Sequence, residues 1–188
     1  MGAVPGPASR RKMPEGYAIE YPRRDEIPLL STIEARAGAL FSLEDLPLAL
    51  REQTLPLSVL EAALEVGHLW IIREASSRAP VGYAVVSLVD GAPHLRQLDV
   101  LPEHGRRGLG TGLVLHVAGW AREAGFSCLS LTTFRHLAWN APFYASLGFV
   151  PVPKADQGPE LRAELEEQAA EGLDPAKRVA MTLNIFAL

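Results

Sequence analysis

The 188-residue chain is short of most features that mark specialised proteins. It carries one cysteine, Cys128, which excludes an intrachain disulfide and a cysteine-based zinc site. That thiol lies in the apolar run from Phe126 to Phe134 and is expected to be buried and inert. The five histidines (His68, His94, His104, His116, His136) are never closely paired as a metal-binding helix requires, so no metal is expected. The longest uncharged apolar run, Gly108 to Ala121, is too short and too glycine-rich to span a bilayer. The N-terminus has no apolar stretch of the secretory kind, and Met-Gly-Ala-Val-Pro-Gly lacks the Ser/Thr of a myristoylation signal. These absences point to the cytoplasm and away from a membrane. Basic excess is lacking too. With 18 Lys+Arg against 22 Asp+Glu the formal charge is −4, which leaves no global footprint for nucleic acid. What is present, 48% hydrophobic and 21% charged residues, suits a globular chain of one domain.

Residues Met1 to Gly16 are rich in Gly, Pro and basic residues and read as a flexible tail, with Arg10-Arg11-Lys12 as a solvated cluster. The ordered domain is expected over residues 17–188. Tyr17 to Glu20 alternates like a strand, and a helix is expected from about Asp25 to Leu40, capped by Asp25 with Pro28 in its first turn. A second helix fits Ser58 to Val66, with Ser58 and Glu61 as a capping box and Gly67 as terminator. Three strands follow, His68 to Glu74, Val81 to Val89 and Pro93 to Leu101, joined by short turns and therefore an antiparallel meander. Leu109, Leu113, Val117 and Ala121 form one stripe of a helix over Gly108 to Ala124. Phe126 to Phe134 reads as a buried strand, Ala141 to Leu147 as a short helix capped by Asn140, and Phe149 to Val152 as a strand. A charged helix over Glu160 to Glu171 and a strand over Arg178 to Phe186 complete the chain. The expected fold is one α/β domain with a mixed sheet and helices on both faces.

The stretch richest in chemistry is Leu98-Asp-Val-Leu-Pro-Glu-His-Gly-Arg-Arg-Gly-Leu-Gly-Thr-Gly112. A strand runs into a Gly/Arg turn and straight into a helix. Glycines allow close backbone approach, and the free N–H groups and positive end of a helix attract an anion. Arg106 and Arg107 add charge in an acidic chain, so a phosphate or pyrophosphate is the expected ligand. A P-loop reading is weakened because no Lys follows Gly110, and a dinucleotide fingerprint because Leu113 occupies its third glycine position.

Leu98-Asp-Val-Leu-Pro-Glu103, the Arg-Arg-Gly-Leu-Gly-Thr-Gly turn and Asn140-Ala-Pro-Phe-Tyr-Ala-Ser-Leu-Gly-Phe149 together resemble the GCN5-related N-acetyltransferases (GNAT), and the element order resembles that family from Tyr17 to Phe186. The family's phosphate motif, Gln/Arg-x-x-Gly-x-Gly/Ala, aligns on Gly108 and Gly110 with Gly105 as a departure at its first position; the register Arg107-x-x-Gly110-x-Gly112 also fits the letters. The resemblance implies acetyl-coenzyme A as co-substrate and a small-molecule or peptide amine as acceptor. It implies that the amides of Arg106, Arg107, Gly108, Leu109, Gly110 and Thr111 hold the pyrophosphate, and that the segment Leu98, Asp99 and Val100 pairs with the pantetheine arm like an added strand.

Amine acetylation needs a base for the amine and a proton donor for the departing thiolate. The resemblance places Tyr144 as that donor. His94 stands six residues before Val100, where several family members carry a base; by strand parity it shares a face with Arg96, Leu98 and Val100 unless a bulge intervenes. Asp99 and a chain of waters are its rivals. Asn140 is a candidate coenzyme contact, with helix capping as its other role, and Trp139 is expected to be a packing anchor. Two other classes stay open: a non-catalytic acyl-CoA sensor, and a nucleotide-binding module. The acceptor would be chosen by Arg36 to Ser58 and by Lys154 to Lys177, and the oligomeric state is left open, a homodimer included.

Overall fold

The computed structural model describes residues 13–188. The proposed tail cluster Arg10-Arg11-Lys12 and the rest of residues 1–12 lie outside the described residues. Of the tail's remainder, Met13 packs against the core.

Among the described residues seven strands form one sheet in the order β1-β2-β3-β4-β5-β7-β6. They are β1 (Tyr17–Glu20), β2 (Leu69–Glu74), β3 (Pro80–Val89), β4 (Ala92–Val100), β5 (Cys128–Phe134), β6 (Val150–Pro151) and β7 (Arg178–Asn184). Among the described residues only β4 and β5 pair in parallel. The helices are α1 (Ile27–Gly38), α2 (Leu48–Arg51), α3 (Leu57–Glu65), α4 (Leu109–Glu123), α5 (Ala141–Ser146) and α6 (Pro159–Ala170). This is the expected mixed α/β domain, plus the four-residue α2, whose Pro47 start and polar end carry no periodicity to read.

Two cores sandwich the sheet. On one face α4 sets Leu109, Leu113, Val114, Val117 and Ala121 against Trp70, Ala84, Leu95, Leu129 and Met181. On the other, Ile27, Leu30 and Ile33 of α1 and Leu60 and Ala63 of α3 cover Leu69, Ile71, Tyr83 and Val85. Gly82 is required where β3 crosses close to β4, since a Cβ there would lie 2.8 Å from the Asp99 carbonyl oxygen. The Asp90-Gly91 turn of the β3–β4 hairpin has positive φ at both residues, as a two-residue turn of the I′ kind demands.

Local capping departs from expectation. Ser58 and Glu61 form no capping box, because α3 begins one residue earlier, after Pro56. Asn140 occupies the N-cap position of α5 but its side chain does not cap; its Oδ1 accepts from Thr133 Oγ1 at 2.6 Å and so ties the helix start to β5. Asp25 lies inside a short helical turn ahead of α1, and Glu26 accepts from the Arg23 N–H instead. Asp90 supplies the cap that α6 lacks, its carboxylate accepting from Glu160 N at 2.9 Å and Leu161 N at 3.1 Å. Cys128 is half-buried at the start of β5 rather than enclosed. Trp139 is 53% exposed and packs edge-on to Phe41. Among the described residues no helix is long and apolar enough to cross a membrane.

Candidate active site

The site is made by a parting of strands. Between β4 and β5 the paired residues are His94 and Ser130, after which the strands diverge. The Leu101 N–H donates to Val81 O on the β3 side. Period-two alternation therefore turns the backbone groups of Val100 and Leu98 to the open side, which is the edge an extended ligand could join. The opening leads into a cavity of about 810 Å³ lined by α1, the segment from Phe41 to Pro56, β4, β5, α5 and α6.

A bulge decides what faces that cavity. Val85 pairs with Gln97 but Val86 pairs with Leu95, so Arg96 is an extra residue in β4. The expected common face of His94, Arg96, Leu98 and Val100 is thereby corrected. Leu98 and Val100 pack toward the α4-side core. His94, Gln97 and Asp99 pair with Ser87, Val85 and Tyr83 on the opposite face.

His94 itself is sealed at the vertex, 1% exposed, its Nδ1 2.9 Å from Ser130 Oγ. Burial holds the imidazole down at about 4, far from the neutral range a poised base needs. Asp99 lines the cavity, where burial pushes its carboxyl up to about 7 despite the hydrogen bond that Gln97 Nε2 donates at 2.8 Å. Tyr83, wholly buried opposite Asp99, donates its hydroxyl to Glu34 Oε2 at 3.0 Å, and Glu34 also accepts from Leu55 N. Desolvation raises Glu34 as well. Tyr144 lines the same cavity from α5, its ring edge-on to Phe149, and burial together with the Asp99 charge raises its hydroxyl above the ordinary phenol value. It is thus a protonated donor beside a carboxylate that titrates near neutrality.

At the far end of β4 the turn into α4 has the shape of an anion cradle. Arg106 (φ 57) and Gly108 (φ 84) are both left-handed, a conformation in which successive N–H groups can converge. The first backbone bond of α4 runs from Gly112 N to Gly108 O, so the amides of Leu109, Gly110 and Thr111 are the orphan donors of the helix start. The absent side chain of Gly110 leaves room between Leu98 and Phe143. Arg106 is exposed. Arg107 braces the turn, donating to Tyr17 Oη at 2.8 Å and Glu103 O at 3.1 Å. These residues fit a diphosphate at the turn with an extended arm running along β4.

Sequence reasoning missed Glu34, Tyr83 and Arg178. Glu34 carried a readable signal, an acid beside Ile33 and between Leu30 and Ala37 on the buried side of α1. Arg178, the first residue of β7, carried none.

A model of the Acetyltransferase (GNAT) family matches residues 38–149. The fold is similar to that of N-acetylglutamate synthase from Neisseria gonorrhoeae, complexed with coenzyme A and N-acetyl-glutamate: TM-score 0.65, 17% identity, 90% of this chain and 35% of that chain covered. This chain therefore spans about a third of the synthase. It is similar also to PaiA N-acetyltransferase from Thermoplasma acidophilum in complex with coenzyme A (TM-score 0.63, 14% identity, 89% and 98% covered). A GNAT-family acetyltransferase from Staphylococcus aureus gives 0.66, 16% identity, and 90% and 99% covered. At these identities the likeness is one of fold.

Proposed function

The chain belongs to the GNAT family of acetyltransferases, and from that premise we propose that it transfers acetyl from acetyl-CoA to a primary amine by direct attack, with Asp99 as base and Tyr144 as acid. Acetyl-CoA supplies the activated acetyl thioester. The cradle from Arg106 to Thr111 holds the diphosphate, and the free edge at Leu98 and Val100 aligns the arm.

One observation carries the reading: Asp99 and Tyr144 line a single cavity at the parting of β4 and β5. An amine entering there is largely protonated at neutral pH. Asp99, pushed up to about 7, is matched to take that proton. Tyr144 keeps its own proton until a sulfur leaves beside it. His94 is replaced as base in this scheme because, although the bulge puts it on the face of Asp99, it is sealed where β4 pairs with β5 and does not line the cavity. The sensor alternative predicts acetyl-CoA binding without turnover, and a paired base and acid in the cavity favours the enzyme over it. Asn140, held by Thr133, acts by fixing α5 and so the position of Tyr144.

The test is thiol release from acetyl-CoA over a panel of amines, with Tyr144→Phe as the probe. The variant keeps the ring contacts and deletes the proton donor. Turnover should fall by roughly 10²–10⁴-fold with coenzyme affinity unchanged. Full activity in the variant, with chemistry rate-limiting, would remove Tyr144 from the mechanism.

A further inference from the structure

Three guanidinium groups line the cavity, those of Arg51, Arg96 and Arg178. Among the described residues none of them stands in an ion pair, although arginines elsewhere do: Arg24 with Glu65, Arg36 with Glu103, Arg73 with Glu26. Arg51 donates to the carbonyl oxygens of Leu46 and Phe41, and Arg96 is exposed on the bulge. Arg178 differs from both, because it is set into the wall.

Among the described residues the hydrogen bonds of the Arg178 guanidinium are all with neutral groups. Its Nε donates to Gln168 Oε1 at 3.1 Å, one terminal nitrogen donates to Thr132 Oγ1 at 3.3 Å, and Phe134 lies 4.6 Å beneath the guanidinium carbon. The other terminal nitrogen has no hydrogen bond among the described residues. The carboxylate that acts on it is Glu164, whose Oε1 accepts from Gln168 Nε2 at 3.1 Å. A second cavity, of about 500 Å³, lies against the same arginine and brings Arg135, Lys154 and Arg162 with one carboxylate, Glu166. That side adds like charge. Burial without compensation pulls the guanidinium down to about 10. The larger cavity is also lined by Glu34, Glu52, Asp99, Glu164, Glu167 and Glu171, yet none of these carboxylates forms an ion pair with the half-buried Arg178, whose open side is left for an anion that a ligand supplies. Its field also reaches the reaction centre, since Arg178 and Asp99 act in opposite directions on the Tyr144 hydroxyl.

We propose that the acceptor is of the amino acid type, with a free carboxylate close to its reacting amine, and that Arg178 receives that carboxylate while the amine lies at Asp99. This deepens, and rests on, the reading of the cavity as the acceptor site. Polyamines and aminoglycosides, which lack a carboxylate, are excluded by it.

The test separates binding from turnover. The full chain, saturated with coenzyme A, is titrated by calorimetry with the common L-amino acids and with their carboxamides, which keep the amine and lose the negative charge. At least one amino acid should bind roughly 10–100-fold more tightly than its carboxamide, the range of a charge-assisted contact in a desolvated site. Arg178→Met should abolish that difference and leave carboxamide affinity unchanged. Gln168→Glu is the second variant, needed if loss of the Arg178 contacts prevents folding: it places an internal carboxylate where Oε1 already meets Arg178 Nε, and should erase the preference equally. Carboxamides binding as well as acids, no amino acid binding at all, or a preference that survives both variants would each overturn the proposal. Amino-acid binding through Arg178 without any thiol release would instead sink the catalytic reading and leave this one standing.

Discussion

Two places in this protein draw charge away from water, one fully and one in part, and they treat it in opposite ways. Beside β1, Arg73 and Glu26 are 2% and 3% exposed and meet in two hydrogen bonds of 2.7 and 2.9 Å. The pairing drives the Glu26 carboxyl down to about 2 and raises Arg73. In the cavity, Asp99 has been pushed up to about 7 and Arg178 down to about 10, each by desolvation and neither with an ion-pair partner among the described residues. A completed pair fixes structure and has no further chemistry to offer. An uncompensated charge costs stability and keeps its capacity to act on something that arrives. Perturbed groups of the second kind are the ones expected at a reaction centre.

The sharpest way to break this contrast is at Asp99. Asp99→Asn keeps the shape and the contact with Gln97 but cannot take a proton. Turnover at neutral pH should drop roughly 10²–10⁴-fold. The wild-type kcat/KM should rise with pH through about 7 as Asp99 deprotonates, and that limb should be missing from the variant. A limb that persists in the variant would belong to another group, and Asp99 would lose its role.

The opposite variant addresses the completed pair. Glu26→Gln leaves Arg73 buried without its partner and should cost about 3 kcal/mol in denaturant unfolding. Activity per folded molecule should be unchanged, because neither residue lines the cavity. A loss below about 1 kcal/mol would mean that water or Glu20, 3.2 Å from Arg73, compensates.

How much of this was legible in the sequence follows the same division. The Gly/Arg turn, the α4 stripe and the meander were readable because each rests on local geometry: a left-handed glycine, a 3.6-residue period, a two-residue turn. Tyr144 was reachable because its neighbours resemble a family motif. The face of His94 was not reachable, since the bulge at Arg96 arises from register against β3 and leaves no mark in β4 alone. Nor could the sequence show that Glu34 and Asp99 meet across Tyr83, or that residue 178 returns to the wall beside β5; these juxtapositions join segments 49 and 46 residues apart. Charge burial is a tertiary property, and the two charge environments contrasted above use the same residue types.

Acid should erase the structural pair only after the raised carboxyls of Asp99 and Glu34 have taken their protons. The Glu26 carboxyl is depressed from 4.5 to about 2, so its contribution is complete above pH 4.5 and is lost as pH falls through about 2. That contribution is at most about 3 kcal/mol. Measured as the stability gap between wild type and Glu26→Gln, it should be constant from pH 7 to 5 and close toward pH 2. A gap independent of pH would assign the loss to packing instead of charge.

The smallest effect has the opposite sign, and it is the most specific to an uncompensated charge. The folded-state Asp99 holds its proton to about 7, whereas an ordinary aspartate releases it near 3.8. Between those values the folded chain binds a proton that the unfolded chain has lost, so stability falls as pH rises and levels off above about 7. Asparagine at this position never has to ionise. Asp99→Asn should therefore be more stable than wild type at pH 8, by roughly 1–2 kcal/mol after allowing for water in the open cavity, and equal to it near pH 4. The measurement is the difference in unfolding free energy across that range, read beside the lost turnover. An inactive variant that gains stability only where the wild-type carboxylate is charged would identify the same buried charge as the source of both effects. A variant that is less stable at every pH would show that Asp99 is held by its contacts with Gln97 and Tyr83, and the division between a satisfied pair and a strained site would fail at its most exposed point.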